Sequence, residues 1–214
     1  MRDAITSRRI EPLLPGPAAD APASPAAVRI LKDEHLAIAS VLYSLRHAVR
    51  QVREHGAAPD VRLLGAILDY IEAFPERLHH PKEEAFLFAA LAERCEDARP
   101  LIALLAAEHA RGDASIRELR ERLARCHGAG PAFDEFAEAV DAYAAFHWRH
   151  MTREEEVLLP LALRHLSTAD WERIGAAFRA NDDPLVGLTG RQDLDRLFRT
   201  ILELATAMES AAAR

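Results

Sequence analysis

Apolar residues recur every three or four positions through most of the chain, a spacing that is typical of amphipathic helices. The pattern predicts four long helices, at about 25–54, 61–94, 100–127 and 132–166. No stretch alternates apolar and polar residues in the way that marks a strand. Because the connections between the helices are short, neighbouring helices should run in opposite directions. We therefore expect an all-α protein whose core is an antiparallel four-helix up-and-down bundle.

Several residues mark the ends and interruptions of these helices. Asp60 is placed to cap the N-terminus of the second helix with its side chain. Pro75 and Pro81 lie inside that helix, and because proline removes a backbone hydrogen bond, we expect the helix to be kinked there. Ser167 and Asp170 have the spacing of a capping box, so they predict a further helix after the fourth.

Composition divides the chain into three regions. Residues 1–24 are rich in proline and alanine, so we expect a flexible N-terminal arm there. Residues 25–166 contain the predicted bundle. Residues 167–214 are expected to pack on the bundle or to provide the surface of a homodimer. This C-terminal extension is predicted to contain two additional helices, at about 169–180 and 189–211.

The chain is acidic, with a net charge of −7, and no Lys/Arg cluster stands apart from interleaved acidic residues. It therefore lacks the positive surface that nucleic-acid binding requires. No apolar run reaches the roughly 18 residues of a membrane span, and the N-terminal segment has no apolar core of a secretory signal. Cys95 and Cys126 are far apart and are expected to be packing residues. These features predict a cytoplasmic protein with no nucleic-acid or membrane partner.

Histidines interrupt the apolar faces of these helices. On the first helix His35 lies between Leu31 and Ile38, where a core residue would be expected, and His109 interrupts the third helix in the same way. On the fourth helix, three consecutive positions of the inward stripe are polar residues and not apolar ones. That stripe consists of Phe136, Val140, Tyr143, His147, His150, Glu154, Val157 and Leu161. One such histidine is more often structural, but their joint placement indicates a shared site.

The second and fourth helices carry matching pairs of histidine and glutamate. His79 and Glu83 are four residues apart, as are His150 and Glu154, so each pair lies on one helix face. An inward glutamate is costly without a compensating charge, and a divalent metal supplies that charge. Imidazole and carboxylate suit iron, manganese, zinc or nickel, and two carboxylates can bridge two ions about 4 Å apart. The pattern therefore predicts a dinuclear metal site.

Four short segments carry these residues: DEH at 33–35, HHPKEE at 79–84, EH at 108–109 and HMTREEEVLLP at 150–160. Over about residues 28–165 the sequence resembles the hemerythrin-like (HHE cation-binding) family. The resemblance implies a four-helix bundle with a non-haem di-iron centre, held by histidines from all four helices and by two bridging carboxylates. By that resemblance Glu83 and Glu154 are the bridges. The implied ligands are His35, His79, Glu83, His109, His150 and Glu154.

Two departures from the family pattern concern the remaining histidines. Oxygen-carrying hemerythrins have a second histidine one turn after the histidine of the third helix, and here that place is Asp113. Some relatives place an extra ligand directly after the histidine of the second helix, which here is His80. We therefore include His80 among the predicted metal ligands, and we expect His147 to support the ligands or to replace one. Three glutamates next to the predicted ligands are expected on solvated helix faces: Glu84, Glu155 and Glu156. Glu84 is also an alternative to Glu83 as the inward ligand.

A small-ligand-binding protein is the first functional hypothesis. Two iron ions would take O2, NO, azide or a similar ligand, or the centre would sense iron or redox state; zinc and manganese are the alternative metals. The competing hypotheses are a di-iron oxidoreductase that reduces peroxide or oxygen, and a metal storage bundle. Beyond the ligand set, no acid, base or nucleophile is arranged for catalysis, so a binding protein is favoured over an enzyme.

Overall fold

The protein is described by a computed structural model that covers residues 25–56 and 58–180. Every regular element in these residues is a helix and none is a strand, which confirms the all-α prediction. The helix ends lie within three residues of the predicted ones. The helices are α1, Ala26–His55; α2, residues 61–94; α3, Arg99–Ala124; α4, residues 131–165; and α5, Thr168–Arg179. Within the same residues, no helix combines the length and the apolar character needed to cross a membrane.

The first helix follows the sequence prediction closely. It begins at Ala26 and ends before Gly56, whose left-handed conformation (φ 65°) and hydrogen bond to Val52 O close the helix. The predicted inward stripe is buried throughout: Leu31, Ile38, Leu42, Leu45, Val49 and Val52. His35 is buried on the same face. The helix therefore presents one histidine to the interior from an otherwise apolar surface.

The second helix runs through residues 61–94 but changes its winding twice. Asp60 caps it as predicted, because the side chain accepts two backbone N–H hydrogen bonds at 3.0 Å. π-Helical turns at Glu72–His79 and Glu83–Phe88 interrupt its α-helical segments. Pro75 lies inside the first of these turns, so the expected disturbance takes the form of wider winding.

The fourth helix contains one π-helical turn, at Glu154–Leu158. A π turn holds more residues than an α turn, so the residues after it are rotated away from the predicted stripe. Val157 was predicted to point inward but is 46% exposed, and Leu158 is buried instead. The prediction for Val157 is wrong because it assumes regular α-helical winding. In both α2 and α4 a π turn begins at the inward glutamate, Glu83 or Glu154.

The helices α1 and α3 both contact α2 and α4, and the C-terminal turns of α2 and α4 also contact each other. Arg46 of α1 pairs with Asp141 at 2.6 Å, and Lys32, earlier in α1, pairs with Glu155, later in α4, at 3.4 Å. This reversed order means that α1 and α4 run in opposite directions. Ion pairs between α2 and α3, and between α3 and α4, have the same reversed order.

The helix α5 packs against α1 and begins with the predicted capping box. Ser167 Oγ accepts a hydrogen bond from Asp170 N at 3.2 Å, and Asp170 Oδ2 accepts one from Ser167 N at 2.9 Å. The predicted arm at 1–24 and the predicted last helix at 189–211 lie outside the described residues.

Two apolar clusters fill the interior, and a polar layer separates them. Along α1, Leu31 belongs to one cluster and Ile38 to the other, with His35 between them. On each of the other three long helices, a buried histidine or glutamate likewise lies between the residues of one cluster and those of the other. Cys95 and Cys126 are buried and free and belong to different clusters, in agreement with their predicted packing role.

Candidate metal centre

The polar layer consists of buried histidine and glutamate side chains from all four long helices. Every predicted metal ligand lies in it, and none is more than 4% exposed. These residues are His35, His79, His80, Glu83, His109, His150 and Glu154. The fold therefore brings together at one level of the interior residues that are up to 119 positions apart in the sequence (154 − 35).

Within the layer, two sets of donor atoms are each compact enough to hold a metal ion. Group A consists of His35, His79 and Glu83, and group B consists of His80, Glu83, His109 and His150. In each group the donor atoms lie within 4.8 Å of one another. Glu83 belongs to both groups, so its two oxygens can serve two ions. The described residues thus provide donors for an adjacent pair of cations.

Glu154 also reaches both groups. Its carboxylate oxygens lie 3.3 Å from His35 Nε2 and 3.2 Å from His150 Nε2. None of the oxygens of Glu83 and Glu154 accepts a hydrogen bond of good geometry from the described residues. Burial of two carboxylates that accept no such hydrogen bond raises the free energy of the folded protein unless positive charge compensates them. The donor set therefore fits a bound metal.

A carboxylate holds the other ring nitrogen of each candidate ligand histidine. The Nδ1···Oε pairs are His35–Glu155 (3.0 Å), His79–Glu34 (2.8 Å), His80–Glu76 (3.1 Å), His109–Glu84 (2.8 Å) and His150–Glu108 (3.0 Å). When Nδ1–H donates to the carboxylate, Nε2 is left as the lone-pair donor that faces the layer. Such carboxylates fix the ring orientation of metal-binding histidines and raise their basicity.

The layer has an approximate two-fold repeat that relates α1 and α2 to α3 and α4. The equivalent pairs are Glu34/Glu108, His35/His109, His79/His150, Glu83/Glu154 and Glu84/Glu155. The repeat is broken at two positions. Met151 occupies the position equivalent to His80, and His147 occupies the position equivalent to Glu76. Group B therefore has one more histidine than group A.

Acidic side chains dominate the electrostatics of the layer. Burial by itself lowers the pKa of His109, but the nearby carboxylates of Glu154 and Glu83, 3.7 and 3.4 Å from its Nε2, outweigh burial and raise this pKa to about 10. Burial by itself raises the pKa of Glu154, but the imidazoles of His109 and His150, whose Nε2 atoms lie 3.7 and 3.2 Å from Oε1, hold this pKa well below its usual range. The layer therefore favours positive charge, supplied either by protons on the histidines or by metal cations.

His147 is buried beside the two groups but belongs to neither. Its Nε2 has no hydrogen-bond partner among the described residues and lies 3.9 Å from Glu76 Oε1. Burial and the positive charge of His150 lower the pKa of His147 to about 3, so its ring is uncharged at neutral pH. Tyr143 donates a hydrogen bond to the same Glu76 oxygen at 3.0 Å. The role predicted for His147 stays a prediction.

The acidic residues around the centre follow the sequence prediction only in part. Glu156 is exposed as expected. Glu84 and Glu155, also expected on solvated faces, are 46% and 32% exposed, but each holds the Nδ1 atom of a histidine. Glu83 and not Glu84 is the inward residue. Asp113 is half exposed and pairs with an arginine one turn later, so it contributes to neither group.

Sequence reasoning missed three carboxylates that support the histidines. Glu76 could have been found, because it lies four residues before His80 on one helix face. Glu34 and Glu108 bond to histidines of a neighbouring helix, so no spacing within one helix identifies them.

A groove between α1 and α4 approaches the layer from the surface. Its volume is about 390 Å³, and its lining includes His35 of group A together with Met151. Trp148 provides an apolar wall, and Lys32 and Glu155 pair across the groove at 3.4 Å. Group A is therefore the part of the layer that a small molecule in this groove can approach.

The family described as Hemerythrin HHE cation binding domain matches residues 26–162, which is more than half of the chain and includes all of groups A and B. No curated protein and no solved structure matched the chain. The matched region ends within α4, so it does not include α5. The description specifies cation binding and names no particular metal.

Proposed function

The chain belongs to the hemerythrin HHE cation-binding family, and from this premise we propose that it is a non-haem di-iron protein that binds O2, NO or a similar small ligand. Groups A and B would hold one iron ion each, with Glu83 and Glu154 as bridges. Sensing of iron or of redox state would use the same centre.

The observation that carries the proposal is that two donor groups share Glu83. A site for a single ion needs only one such group. Imidazole nitrogen with carboxylate oxygen suits iron, with zinc and manganese as the alternatives. Bound iron would supply redox activity and a position for an exogenous ligand. The five Nδ1 carboxylates support this assignment, because they hold the rings with Nε2 directed into the layer.

The side chains favour group A as the side that takes the small ligand. Five imidazoles and two bridging carboxylates provide nine donor atoms (5 + 2 × 2), fewer than the roughly twelve positions of two octahedral ions. Group A has fewer of these donor atoms than group B, because Met151 occupies the position where a third histidine would be expected. The groove that reaches His35 and Met151 lies on this side.

Metal analysis tests the dinuclear part of the proposal. Protein supplied with iron, desalted and measured by mass spectrometry, should contain about two iron ions per chain, because two bridging carboxylates serve a pair. A value near zero would reject iron binding, and a value near one would reject the dinuclear centre.

Azide tests the small-ligand part. The air-oxidised protein should bind azide stoichiometrically and gain a ligand-to-metal charge-transfer band in the visible or near-ultraviolet spectrum. Glu83→Ala should abolish the band because it removes a bridge, whereas the exposed Glu156→Ala should keep it. An iron-loaded protein whose spectrum does not respond to saturating azide would mean that the centre has no position for such a ligand.

A di-iron oxidoreductase is the second candidate, and the groove beside group A favours it. A volume of about 390 Å³ admits molecules larger than a diatomic gas. Peroxide consumption by the iron-loaded protein, compared with the same amount of free iron, distinguishes this function. A rate no higher than that of free iron rejects it. A metal store would instead take up many more iron ions per chain than two.

We also propose that residues 25–166 form the complete antiparallel bundle and that residues 167–214 cover it or join a second copy. Support for the covering role comes from α5, where the Phe178 ring lies 6.1 Å from the ring of His79. Sedimentation velocity of the full chain distinguishes a monomer from a homodimer.

A further inference from the structure

A second polar pocket adjoins group B and is built from Glu76, His147 and Gly112. His147 is 2% exposed, yet its Nε2 has no hydrogen-bond partner among the described residues. The carboxylate of Glu76 is equally buried, and its Oε1 lies 3.9 Å from that nitrogen. A buried nitrogen without a partner is costly, so this arrangement indicates a place for a bound species between the two side chains.

Gly112 keeps the pocket free of side-chain atoms on the α3 side. A Cβ at this position would lie 3.1 Å from Glu76 Oε1 and 3.2–3.3 Å from the ring of His147. These distances are shorter than ordinary van der Waals contacts, so any larger residue would press on both groups. The glycine therefore leaves the nitrogen and the oxygen accessible to a small species.

The pocket lies next to group B. The ring of His147 is 6.0 Å from that of His80 and 6.3 Å from that of His150, both of which belong to group B. Glu76 connects the two places directly, because its other oxygen holds His80 Nδ1 at 3.1 Å.

The pocket also adjoins a surface groove of about 330 Å³ between α3 and α4. Tyr143, which donates its O–H to Glu76, forms part of the lining of this groove. The lining carries three carboxylates and two guanidinium groups, so its net charge is −1 (2 − 3), and Arg122 pairs with two of the carboxylates: Glu118, Glu135, Glu138, Arg111 and Arg122. The pocket is thus placed between a groove open to solvent and group B.

We propose that Glu76 and His147 form a transient loading site for a divalent cation, which passes from the α3–α4 groove through this site to group B. An imidazole nitrogen and a carboxylate oxygen are suitable donors for divalent iron, manganese or cobalt. Two protein donors hold an ion less strongly than the four residues of group B, so the ion moves on. The inference rests on the proposed metal centre.

The rate of Co²⁺ uptake tests the loading site. Metal-free full-length protein is mixed with Co²⁺ in a stopped-flow instrument, and the visible absorption of bound Co²⁺ is followed to its end point. His147→Gln should load about tenfold more slowly than wild type, since one donor of the intermediate is lost. Its final Co²⁺ content should equal that of wild type. Gly112→Ala should be slowed in the same way, because the added methyl group enters the pocket.

His165→Gln is the matched control, because His165 is an exposed histidine on the same helix as His147. Wild-type loading rates in both His147→Gln and Gly112→Ala would mean that the pocket holds only an ordered water, and would overturn the proposal. A His147→Gln protein that binds one ion fewer at equilibrium would make His147 a ligand of the centre and would also overturn it. If circular dichroism finds one variant unfolded, the other decides. A wild type that binds no Co²⁺ would contradict the proposed metal centre itself.

Discussion

Replacing the carboxylates behind the proposed ligand histidines should weaken metal binding in proportion to the burial of each carboxylate. Glu34 lies 2.8 Å from His79 Nδ1, and Glu84 lies 2.8 Å from His109 Nδ1. The side chain of Glu34 is 11% exposed, whereas that of Glu84 is 46% exposed. Since the two distances are equal, the difference in exposure decides how far water screens each interaction.

Glutamine keeps the shape of each side chain and removes its charge. The loss of such a supporting group lowers metal affinity by about 10- to 100-fold, which corresponds to about 1.4 to 2.8 kcal/mol. We expect the upper end, about 100-fold, for Glu34→Gln, and the lower end, about tenfold, for Glu84→Gln. The exposed Glu156→Gln should leave the affinity unchanged and serves as the control.

Anaerobic competition for Fe²⁺ against a chromophoric chelator measures these affinities. Thermal unfolding with excess metal gives an independent value, because metal that binds only the native state stabilises the protein by mass action. A larger loss for Glu84→Gln than for Glu34→Gln would refute the burial argument. If neither variant differs from Glu156→Gln, the Nδ1 carboxylates do not support the metal.

Three further predictions concern the centre. His109→Ala should remove metal and lower the melting temperature of the metal-loaded protein, whereas His127→Ala, at an exposed position, should do neither. Metal analysis and calorimetry measure the two effects, and equal behaviour of the two variants would exclude His109 as a ligand. The pKa of His109 is about 10 in the native state and about 6.5 in the unfolded state, so its protonation stabilises the metal-free protein. This stabilisation is fully present below pH of about 6.5 and is lost as pH rises through about 10. Metal affinity should increase over the same window because the metal must displace this proton, and melting and titration at stepped pH values measure both trends. Met151→His should give group A a third histidine and weaken azide binding to the iron-loaded protein, so an unchanged azide titration would contradict the assignment of the open position.

The inward positions of the candidate ligand histidines were predictable where the helix is regular. His35 lies on a stripe of α1 that keeps α-helical winding from end to end, so periodicity alone places it inside. The prediction failed at Val157, because the π turn that begins at Glu154 rotates the rest of α4. Apolar periodicity does not reveal the turn here, because Val157, Leu158 and Leu159 are all apolar and the pattern fits either winding.

The carboxylates that hold the histidines were less predictable than the inward positions of the histidines themselves. Glu34 is adjacent to His35 in sequence but bonds to His79 on another helix. Which carboxylate meets which ring depends on the rotation of each helix about its axis, and packing between helices sets that rotation. The asymmetry between the two groups was visible in the sequence, because His80 and Met151 occupy equivalent places after His79 and His150.

The polar layer between the two apolar clusters has a consequence for the cooperativity of unfolding. Buried carboxylates and histidines lie between the two clusters, so we expect each cluster to open with little effect on the other when no metal is bound. A pair of ions bound at this level would cross-link all four long helices and make the clusters unfold together. The ratio of calorimetric to van't Hoff enthalpy should then be near one with metal and above one without it. Metal-free protein would then open one cluster before the other, which exposes apolar surface to proteases.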